Sequence, residues 1–341
     1  MSGSESQTSS ESSTQLTVYS PILRDGQVER NVVDEFSGLR RFRQDGTLDI
    51  VPIIEIVDES DLDNLEVYAQ AGNPILVDIP GYLTETEEPN GFTAEVEELL
   101  EDVDSPIEFL NQNYNKIDVP VVSGHLESPF EYSILSSRYQ NLSDDFARAA
   151  IRVFIGSSEL TSKQRKDLQR LQDTISDGDI LLLDSIEPAE LGPKSTARKN
   201  LIEAASMFES NQRIILDAFS VFRGVNYNFG PTIARQIGVS GFGDFAHDRR
   251  LPPAEDIPMG MHDTRNIYHY DYEDRQQRKF QGDDGYSGQD SAFEALSDWD
   301  RWNPNHCEFC EEAEARDSEG PTFWKWVRVG HYIESVVETE S

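Results

Sequence analysis

Gly238-Val-Ser-Gly-Phe-Gly-Asp-Phe-Ala-His247 is the last of eight strand-like runs in this chain, and it carries a carboxylate and an imidazole where the strand would end. If the eight runs close into a parallel barrel, Asp244 and His247 lie at the rim formed by the carboxyl ends of the strands. Barrels of this kind carry their chemistry at that rim. The stretch therefore links the fold to the search for a site.

The seven earlier runs are also short, apolar and rich in β-branched residues, without strict alternation. This pattern is typical of parallel strands that are covered on both faces. Pro52, Pro74 and Pro120 lie at or next to the start of their runs, where a missing N–H donor does least harm. The eight predicted strands are Leu16–Ile22, Val51–Val57, Pro74–Ile79, Val119–Ser123, Ala150–Ile155, Asp179–Asp184, Arg213–Asp217 and Val239–Phe245.

Segments with helical spacing separate the strands. Leu168 and Leu171 begin one apolar helix face, Thr161 and Gln164 can form a capping box before it, and Ser195 can cap the next helix. Strand and helix alternating eight times predict a (β/α)8 barrel, in other words a TIM-like barrel. A doubly wound open sheet is the competing fold, but no glycine-rich phosphate loop follows the first strand.

Composition divides the chain into three parts. Residues 1–15 are almost all Ser, Glu, Gln and Thr, which predicts a disordered, acidic and Ser-rich tail. Residues 16–250 form the barrel, and residues 251–341 form a smaller, aromatic-rich C-terminal subdomain with all four tryptophans, both cysteines and four of the six histidines. We expect that subdomain to pack on the barrel, because its aromatic side chains would otherwise lie in water. Its polar, glycine-rich segment 282–298 is predicted to be a loop.

The chain is strongly acidic, with 29 Lys and Arg against 64 Asp and Glu and a net charge of −35. Such a surface excludes a broad nucleic-acid groove, which needs clustered positive charge. It is typical of adaptation to a high-salt cytoplasm, where salt screens the repulsion between carboxylates. Neither a signal segment nor an apolar run long enough to span a bilayer is present, so we expect a cytoplasmic protein without a membrane partner.

Polar residues lie at the carboxyl ends of the predicted strands, which meet at one mouth of a barrel. Such a pocket could bind a phosphorylated or metal-bound ligand. Ion pairs inside the barrel and helix caps are the competing interpretation, since an acidic chain collects carboxylates in many places. The candidate catalytic residues are Glu55, Asp78, Arg152 and Asp244, and the candidate ligand-binding residues are Arg24, His125, Asp184, Asp217 and His247.

The two cysteines form the motif His306-Cys307-Glu-Phe-Cys310, which His331 follows. Thiolates and imidazoles suit Zn²⁺, so Cys307, Cys310, His331 and His306 are candidate ligands of a structural zinc ion. A pair of reduced, partly buried thiols is the alternative interpretation. Redox catalysis is disfavoured because no strand-to-helix context of the thioredoxin kind precedes the pair.

Several of these landmarks together resemble the beta protein family of phages, proviruses and other mobile elements. The resemblance spans about residues 16–335, with Phe245 in place of an expected tyrosine and Tyr332 in place of an expected second histidine. The similar motifs are Tyr19-Ser-Pro21-Ile-Leu23-Arg24, Pro52-Ile-Ile-Glu55, Val77-Asp78, Arg152, Phe242-Gly-Asp244-Phe, the Cys307 and Cys310 pair, and Gly330-His331.

The resemblance implies an accessory protein of a mobile element, here of a haloarchaeal provirus. The founding phage gene of the family is associated with protection of the host from a lethal companion protein. By analogy, this chain is expected to be a phage-defence or toxin-neutralising (immunity) component that binds a companion toxin, a phage protein or a ligand. The alternative function is a TIM-barrel enzyme that acts on a phosphorylated or nucleotide-like substrate at the carboxyl ends of the strands.

Overall fold

The structure of the protein is a computed structural model, and it describes twelve segments of the chain. Outside these segments lie residues 1–15, His125 and His247. What the sequence analysis says of them stays a prediction. The described segments are 16–24, 27–38, 48–56, 59–65, 75–79, 104–124, 130–185, 195–217, 230–246, 266–283, 288–315 and 320–340.

The parallel strands close into a barrel, which confirms the predicted (β/α)8 fold. Neighbouring strand positions pair in chain order, the second of them being shared by two short strands, and the last strand pairs back with the first, where Val18 lies opposite Gly241 and Pro21 opposite Asp244. The strands are β1 (Val18–Arg24), β2 (Asp49–Ile50), β3 (Ile53–Glu55), β4 (Leu76–Asp78), β5 (Val119–Ser123), β6 (Ala150–Ile155), β7 (Ile180–Ser185), β8 (Gln212–Asp217) and β9 (Gly241–Asp244).

β2 and β3 occupy one strand position, because both pair with β1. Val51 and Pro52 separate them, and the ladder continues across this gap: Val51 N–H donates to the Tyr19 carbonyl, and the Pro52 carbonyl accepts from Leu76 N–H, each over 2.9 Å. The barrel therefore has eight strand positions. Pro52 therefore removes only one N–H donor from the ladder.

Helices alternate with the barrel strands, and the capping predictions are confirmed. Thr161 and Gln164 form a capping box, and Ser195 accepts a hydrogen bond of 3.2 Å from Arg198 N–H. None of the helices in the described segments is both long and apolar enough to cross a bilayer. The helices of the barrel are α1 (Gln27–Gly38), α2 (Ser105–Gln112), α3 (Tyr132–Gln140), α4 (Ser162–Gln172), α5 (Thr196–Met207) and α6 (Gly230–Ile237), with 3-10 turns at Glu59–Asn64 and Tyr114–Lys116.

Two apolar cores lie on opposite faces of the strands. Val18, Ile22 and Phe154 belong to the inner core, which fills the barrel, whereas Tyr19 and Phe242 belong to the outer core between strands and helices. Both faces of each strand are thus covered by protein. This explains why the strands appear in the sequence as apolar runs without alternation.

The described part of the C-terminal region is a hairpin followed by three helices. Its first strand is β10 (Asn266–Asp271), and β11 (Gln276–Gln281) pairs with it in antiparallel register. The helices are α7 (Gly288–Ser297), α8 (Glu308–Ala315) and α9 (Pro321–Glu340).

The loop predicted for residues 282–298 is wrong over α7. Ala292 and Leu296 lie four residues apart and are both fully buried, and Phe293 packs against Trp324 with ring centroids 5.2 Å apart. Tertiary packing of this apolar face therefore outweighs the polar, glycine-rich composition.

Helix α9 packs the C-terminal region against the barrel. Val329 and Tyr332 of α9 belong to the same outer core as the strands and the barrel helices. Ion pairs hold both ends of α9: Lys325 lies 2.5 Å from Glu29 of α1, and Glu340 lies 2.5 Å from Arg235 of α6. The C-terminal region is thus part of the wall that covers the strands.

A glycine at the barrel seam gives a test of the closed fold. A Cβ added at Gly243 would overlap the Ser20 carbonyl oxygen and lie 2.8 Å from Leu216 Cδ2. We expect Gly243→Ala to lower the free energy of unfolding by about 2 kcal/mol through overpacking, as measured by urea denaturation. Gly178→Ala is the matched control, since a Cβ there has no neighbour within 4 Å. Equal stability of the two variants would contradict the close approach of β9 to β1.

Candidate functional site

A buried ionic cluster crosses the interior of the barrel. It consists of Arg152 of β6 and three carboxylates: Glu55 of β3, Asp78 of β4 and Asp184 of β7, all at most 1% exposed. Arg152 Nε lies 2.9 Å and Nη2 2.7 Å from Asp184 Oδ2, while Nη1 lies 3.3 Å from Glu55 Oε1 and also contacts Asp78 Oδ2. Four strands thus each contribute one charged side chain to this ionic cluster.

Strand periodicity explains why these side chains meet. Ala150 and Phe154 belong to the inner core, so Arg152 between them also points into the barrel. Glu55 lies opposite Asp78 in the strand register, and both end their strands. The ionic cluster therefore lies in the carboxyl-terminal half of the barrel, the half where barrel chemistry takes place.

Burial sets the protonation of Asp78. Removal from water raises the pKa of this carboxyl to about 6, with a further rise from the negative charge of Glu55, while Arg152 lowers the pKa and partly compensates. A carboxyl with such a pKa exchanges its proton near neutral pH. Asp78 is the member of the ionic cluster that is suited to acid–base chemistry.

Asp244, the fourth candidate catalytic residue, does not join the ionic cluster. Its carboxylate lies on the outer face of β9, where Tyr332 donates to Oδ2 over 2.6 Å and Tyr19 donates to Oδ1 over 2.9 Å. Ala246 N–H also donates to Oδ1 over 2.9 Å, which holds Ala246 at a φ of 42°. Asp244 therefore connects the barrel seam to helix α9 and does not face the barrel interior.

The two tyrosines remain hydrogen-bond donors to Asp244. Burial and the neighbouring carboxylate raise the pKa of Tyr19 and of Tyr332 well above the usual range of a phenol. Tyr332, which stands where the family resemblance leads one to expect histidine, thus has a place in the contact between α9 and β9. A phenol supplies a hydrogen bond here without adding charge.

The remaining predicted ligand-binding residues are only partly described. Asp184 joins the ionic cluster. Arg24 and Asp217 end β1 and β8, and their side chains lie outside the described part, as do His125 and His247 altogether. Among the predicted site residues whose side chains are described, Glu55, Asp78, Arg152 and Asp184 meet inside the barrel.

A second group, which we call the thiol–histidine cluster, lies in the C-terminal region. It consists of Cys307, Cys310, His331 and His269, all at most 5% exposed. The two sulfurs lie 3.2 Å apart, and each lies 3.4 Å from His331 Nδ1. The ligand atoms of His269, Cys310 and His331 all lie within 4.8 Å of one another, so the cluster could hold a metal ion.

His331 presents a lone pair to the sulfurs. Its Nε2 lies 2.9 Å from the Tyr270 carbonyl oxygen, which can only accept a hydrogen bond. In the neutral ring the proton is therefore on Nε2, and Nδ1 is free to act as a ligand. This pairing of a ligand histidine with a backbone carbonyl is common at metal sites.

The Cys307 thiol is protonated in the absence of a cation. A hydrogen bond with Cys310 and burial raise the pKa of the Cys307 thiol above its ordinary range. The separation of the sulfurs is well beyond the length of a disulfide bond, which is about 2.05 Å, and both cysteines are free. A metal ion would displace the protons as it binds.

His306 has partners other than the thiols. Its ring stacks on Tyr272 with centroids 4.4 Å apart, Nε2 lies 3.0 Å from Ser335 Oγ, and Nδ1 lies 3.7 Å from Glu338 Oε2. Burial, followed by the proximity of His331, lowers the pKa of His306 to about 4. The structure brings His269 to the cluster instead, a residue that the cysteine motif does not indicate.

The comparisons with known proteins leave the family open. No family model matches the chain, and no curated protein matches it. Among solved structures, the chain is similar to the 3-dehydroquinate dehydratase from Aquifex aeolicus VF5, with a TM-score of 0.37 and 11% sequence identity. That alignment covers 71% of this chain and 95% of the other. At this similarity the comparison carries no argument about activity, and the fold assignment depends on the strand pairing.

The raised pKa of Asp78 makes stability depend on pH. Between pH 4 and 6, folded Asp78 keeps a proton that the unfolded chain has lost, so its contribution to stability falls as pH rises and then levels off. Relative to Asp78→Asn, we expect the protein to lose about 2–3 kcal/mol of unfolding free energy over this range. Urea denaturation at a series of pH values measures the difference. Parallel pH profiles of the two proteins would contradict the raised pKa.

Proposed function

We propose that the barrel is an enzyme that carries out acid–base chemistry at the ionic cluster. One observation supports this proposal above the others: Arg152 contacts three carboxylates inside the barrel, among the apolar side chains of the inner core. A buried ion network contributes little stability compared with apolar side chains of the same volume. Its position in the catalytic half of the barrel favours a functional reason for the charges.

The residues of the ionic cluster have separable roles in this proposal. Asp78 transfers the proton, because burial raises its pKa to about 6, close to neutrality. Arg152 is a positioning residue, since its guanidinium fixes Asp78 and Asp184 from fully buried atoms. Glu55 raises the pKa of Asp78 through its charge. Asp244 is left out of the mechanism because it faces α9.

The substrate class proposed from the sequence is phosphorylated or nucleotide-like. A phosphate at Arg152 would have to replace Asp184 or Asp78, and it would lie beside three carboxylates. The contacts of Arg152 therefore argue against phosphate binding at Arg152 and favour its role in positioning Asp78 for proton transfer. Any phosphate of the substrate would be bound farther out, at the mouth.

Metabolite profiling tests the enzyme proposal without a known substrate. The protein is incubated with a small-molecule extract, and mass spectrometry follows which compounds are consumed. We expect Asp78→Asn to slow that consumption by at least about 100-fold, the usual minimum effect of a general acid–base group, while Asp63→Asn, whose carboxylate is 77% exposed, keeps the full rate. Circular dichroism checks the fold. No consumption by the wild-type protein, or full consumption by Asp78→Asn, would contradict the proposal.

The family resemblance supports a second proposal: neutralisation of a companion toxin or phage protein by direct binding. Membership of the beta protein family and a haloarchaeal provirus origin belong to the same proposal, and the sequence motifs are its only support. The variant Asp78→Asn distinguishes the enzymatic function from partner binding. Loss of substrate consumption in Asp78→Asn with retained binding of a protein partner would assign the biological role to binding.

We further propose that the metal of the thiol–histidine cluster is zinc in a structural role. Two thiols and imidazole nitrogen form a soft donor set, which suits Zn²⁺ in a tetrahedral site. Burial of Cys310 and His331 to 1% exposure or less favours a site closed to substrate and water. Reduced thiols also suit the cytoplasm, the location predicted from the sequence.

Metal analysis tests the zinc proposal. Protein purified without added metal is expected to contain one zinc ion per chain by plasma mass spectrometry, and Cys310→Ser is expected to lose it. Removal of zinc by a chelator should lower the melting temperature, because structural zinc contributes directly to folding. A metal-free wild-type protein whose melting temperature does not respond to added zinc would overturn the proposal.

A further inference from the structure

We infer that His269 is the fourth ligand of the thiol–histidine cluster, which makes it a closed Cys2His2 metal site. The inference rests on the proposed zinc and adds the identity of its complete ligand set. Cys307 and Cys310 come from the start of α8, His331 from α9 and His269 from β10. The site would therefore join the hairpin to two helices.

The distances among Cys307, Cys310 and His331 are close to those of a tetrahedral site, and the ligand atom of His269 lies within 4.8 Å of those of Cys310 and His331. With zinc–sulfur bonds of about 2.3 Å and zinc–nitrogen bonds of about 2.0–2.1 Å, sulfur and nitrogen ligands lie about 3.5 Å apart and two sulfurs about 3.8 Å apart. The distances from the sulfurs of Cys307 and Cys310 to His331 Nδ1 are both 3.4 Å, and the sulfurs are 3.2 Å apart. Entry of the ion requires a small separation of the sulfurs and a rotation of the His269 ring out of its stack on His331, so that both imidazole lone pairs face the ion.

The surroundings of His269 hold its ring at the cluster. The ring stacks on His331 with centroids 3.9 Å apart, and it packs edge-to-face with Trp302 and Trp299, with centroids 5.2 and 6.0 Å away. These aromatic walls leave His269 only 5% exposed. A polar ring in such a place is suited to bind a cation from which water is excluded.

Charge balance favours the same ligand set. Two thiolates and two neutral imidazoles neutralise a divalent cation completely, and a neutral site is the least costly to bury. The backbone N–H of Cys310 lies 3.3 Å from Cys307 Sγ, where it can donate to the thiolate. The Tyr270 carbonyl fixes His331 from the other side. Cys307 and His331 thus each have a partner of the kind that a buried zinc site needs around its ligands.

His306 offers a matched control for His269. Both rings lie close to that of His331, with centroids 5.2 and 3.9 Å away, but the ring nitrogens of His306 face Ser335 and Glu338. The cysteine motif alone would choose His306, whereas the structure favours His269. The two histidines therefore make opposite predictions for the same measurement.

Cobalt substitution tests the assignment on the full chain. The protein is depleted of metal and titrated with Co²⁺, whose visible absorption reports coordination number and sulfur ligands. We expect the wild type and His306→Ala to give the same tetrahedral spectrum and affinity. We expect His269→Ala to bind Co²⁺ at least about 10-fold more weakly, with shifted bands, because water replaces one nitrogen. His269→Cys should restore tight binding and show the spectrum of a site with three sulfur ligands.

The outcomes separate this inference from the zinc proposal. A wild-type protein that binds neither Zn²⁺ nor Co²⁺ would refute the zinc proposal and the inference with it. Tight binding that His306→Ala weakens, but His269→Ala does not, would leave zinc in place and refute the assignment of His269. If His269→Ala fails to fold, the spectrum of His269→Cys decides, since an unchanged two-sulfur spectrum would also refute it.

Discussion

The pairing of β1 with β9 is the contact on which the rest of the structure depends. An open parallel sheet would leave both edges exposed, whereas this ladder closes them onto each other from Val18 and Gly241 to Pro21 and Asp244. Only in a closed barrel do side chains from β3, β4, β6 and β7 face one another across the interior. The ionic cluster is thus a consequence of closure, and so is the outer surface that receives α9.

The strands could be predicted because burial on both faces leaves a clear pattern. β5 and β6 have the predicted bounds. The same two-sided burial hides which face a polar residue occupies, since apolar neighbours lie on both sides. Asp244 illustrates this: Phe245 beside it belongs to the inner core, so a shift of one position separates the barrel interior from the outer face.

The members of the thiol–histidine cluster could be predicted only in part, for a different reason. The sequence indicates Cys307, Cys310 and His331, but the hairpin brings His269 to Cys310 and His331, a contact across 62 positions of chain to His331 (331 − 269 = 62). Proximity in sequence to the cysteines favoured His306 as a ligand, but its Nε2 lies 3.0 Å from Ser335 Oγ instead. Tertiary contacts of this length leave no periodic signal in one sequence. The helix at α7 was missed similarly, because its burial depends on Trp324.

The shared carboxylate of Asp244 also constrains the order in which the molecule forms. Its hydroxyl donors, Tyr19 and Tyr332, lie 225 positions before it and 88 positions after it in the chain. During synthesis, the first strand therefore cannot pair with the last strand until the last strand has been made. The hydrogen bonds to Asp244 are complete only when α9 has left the ribosome. Contacts of such long range make slow folding steps. Until then, the two edges of the nascent sheet are open to pairing with other chains.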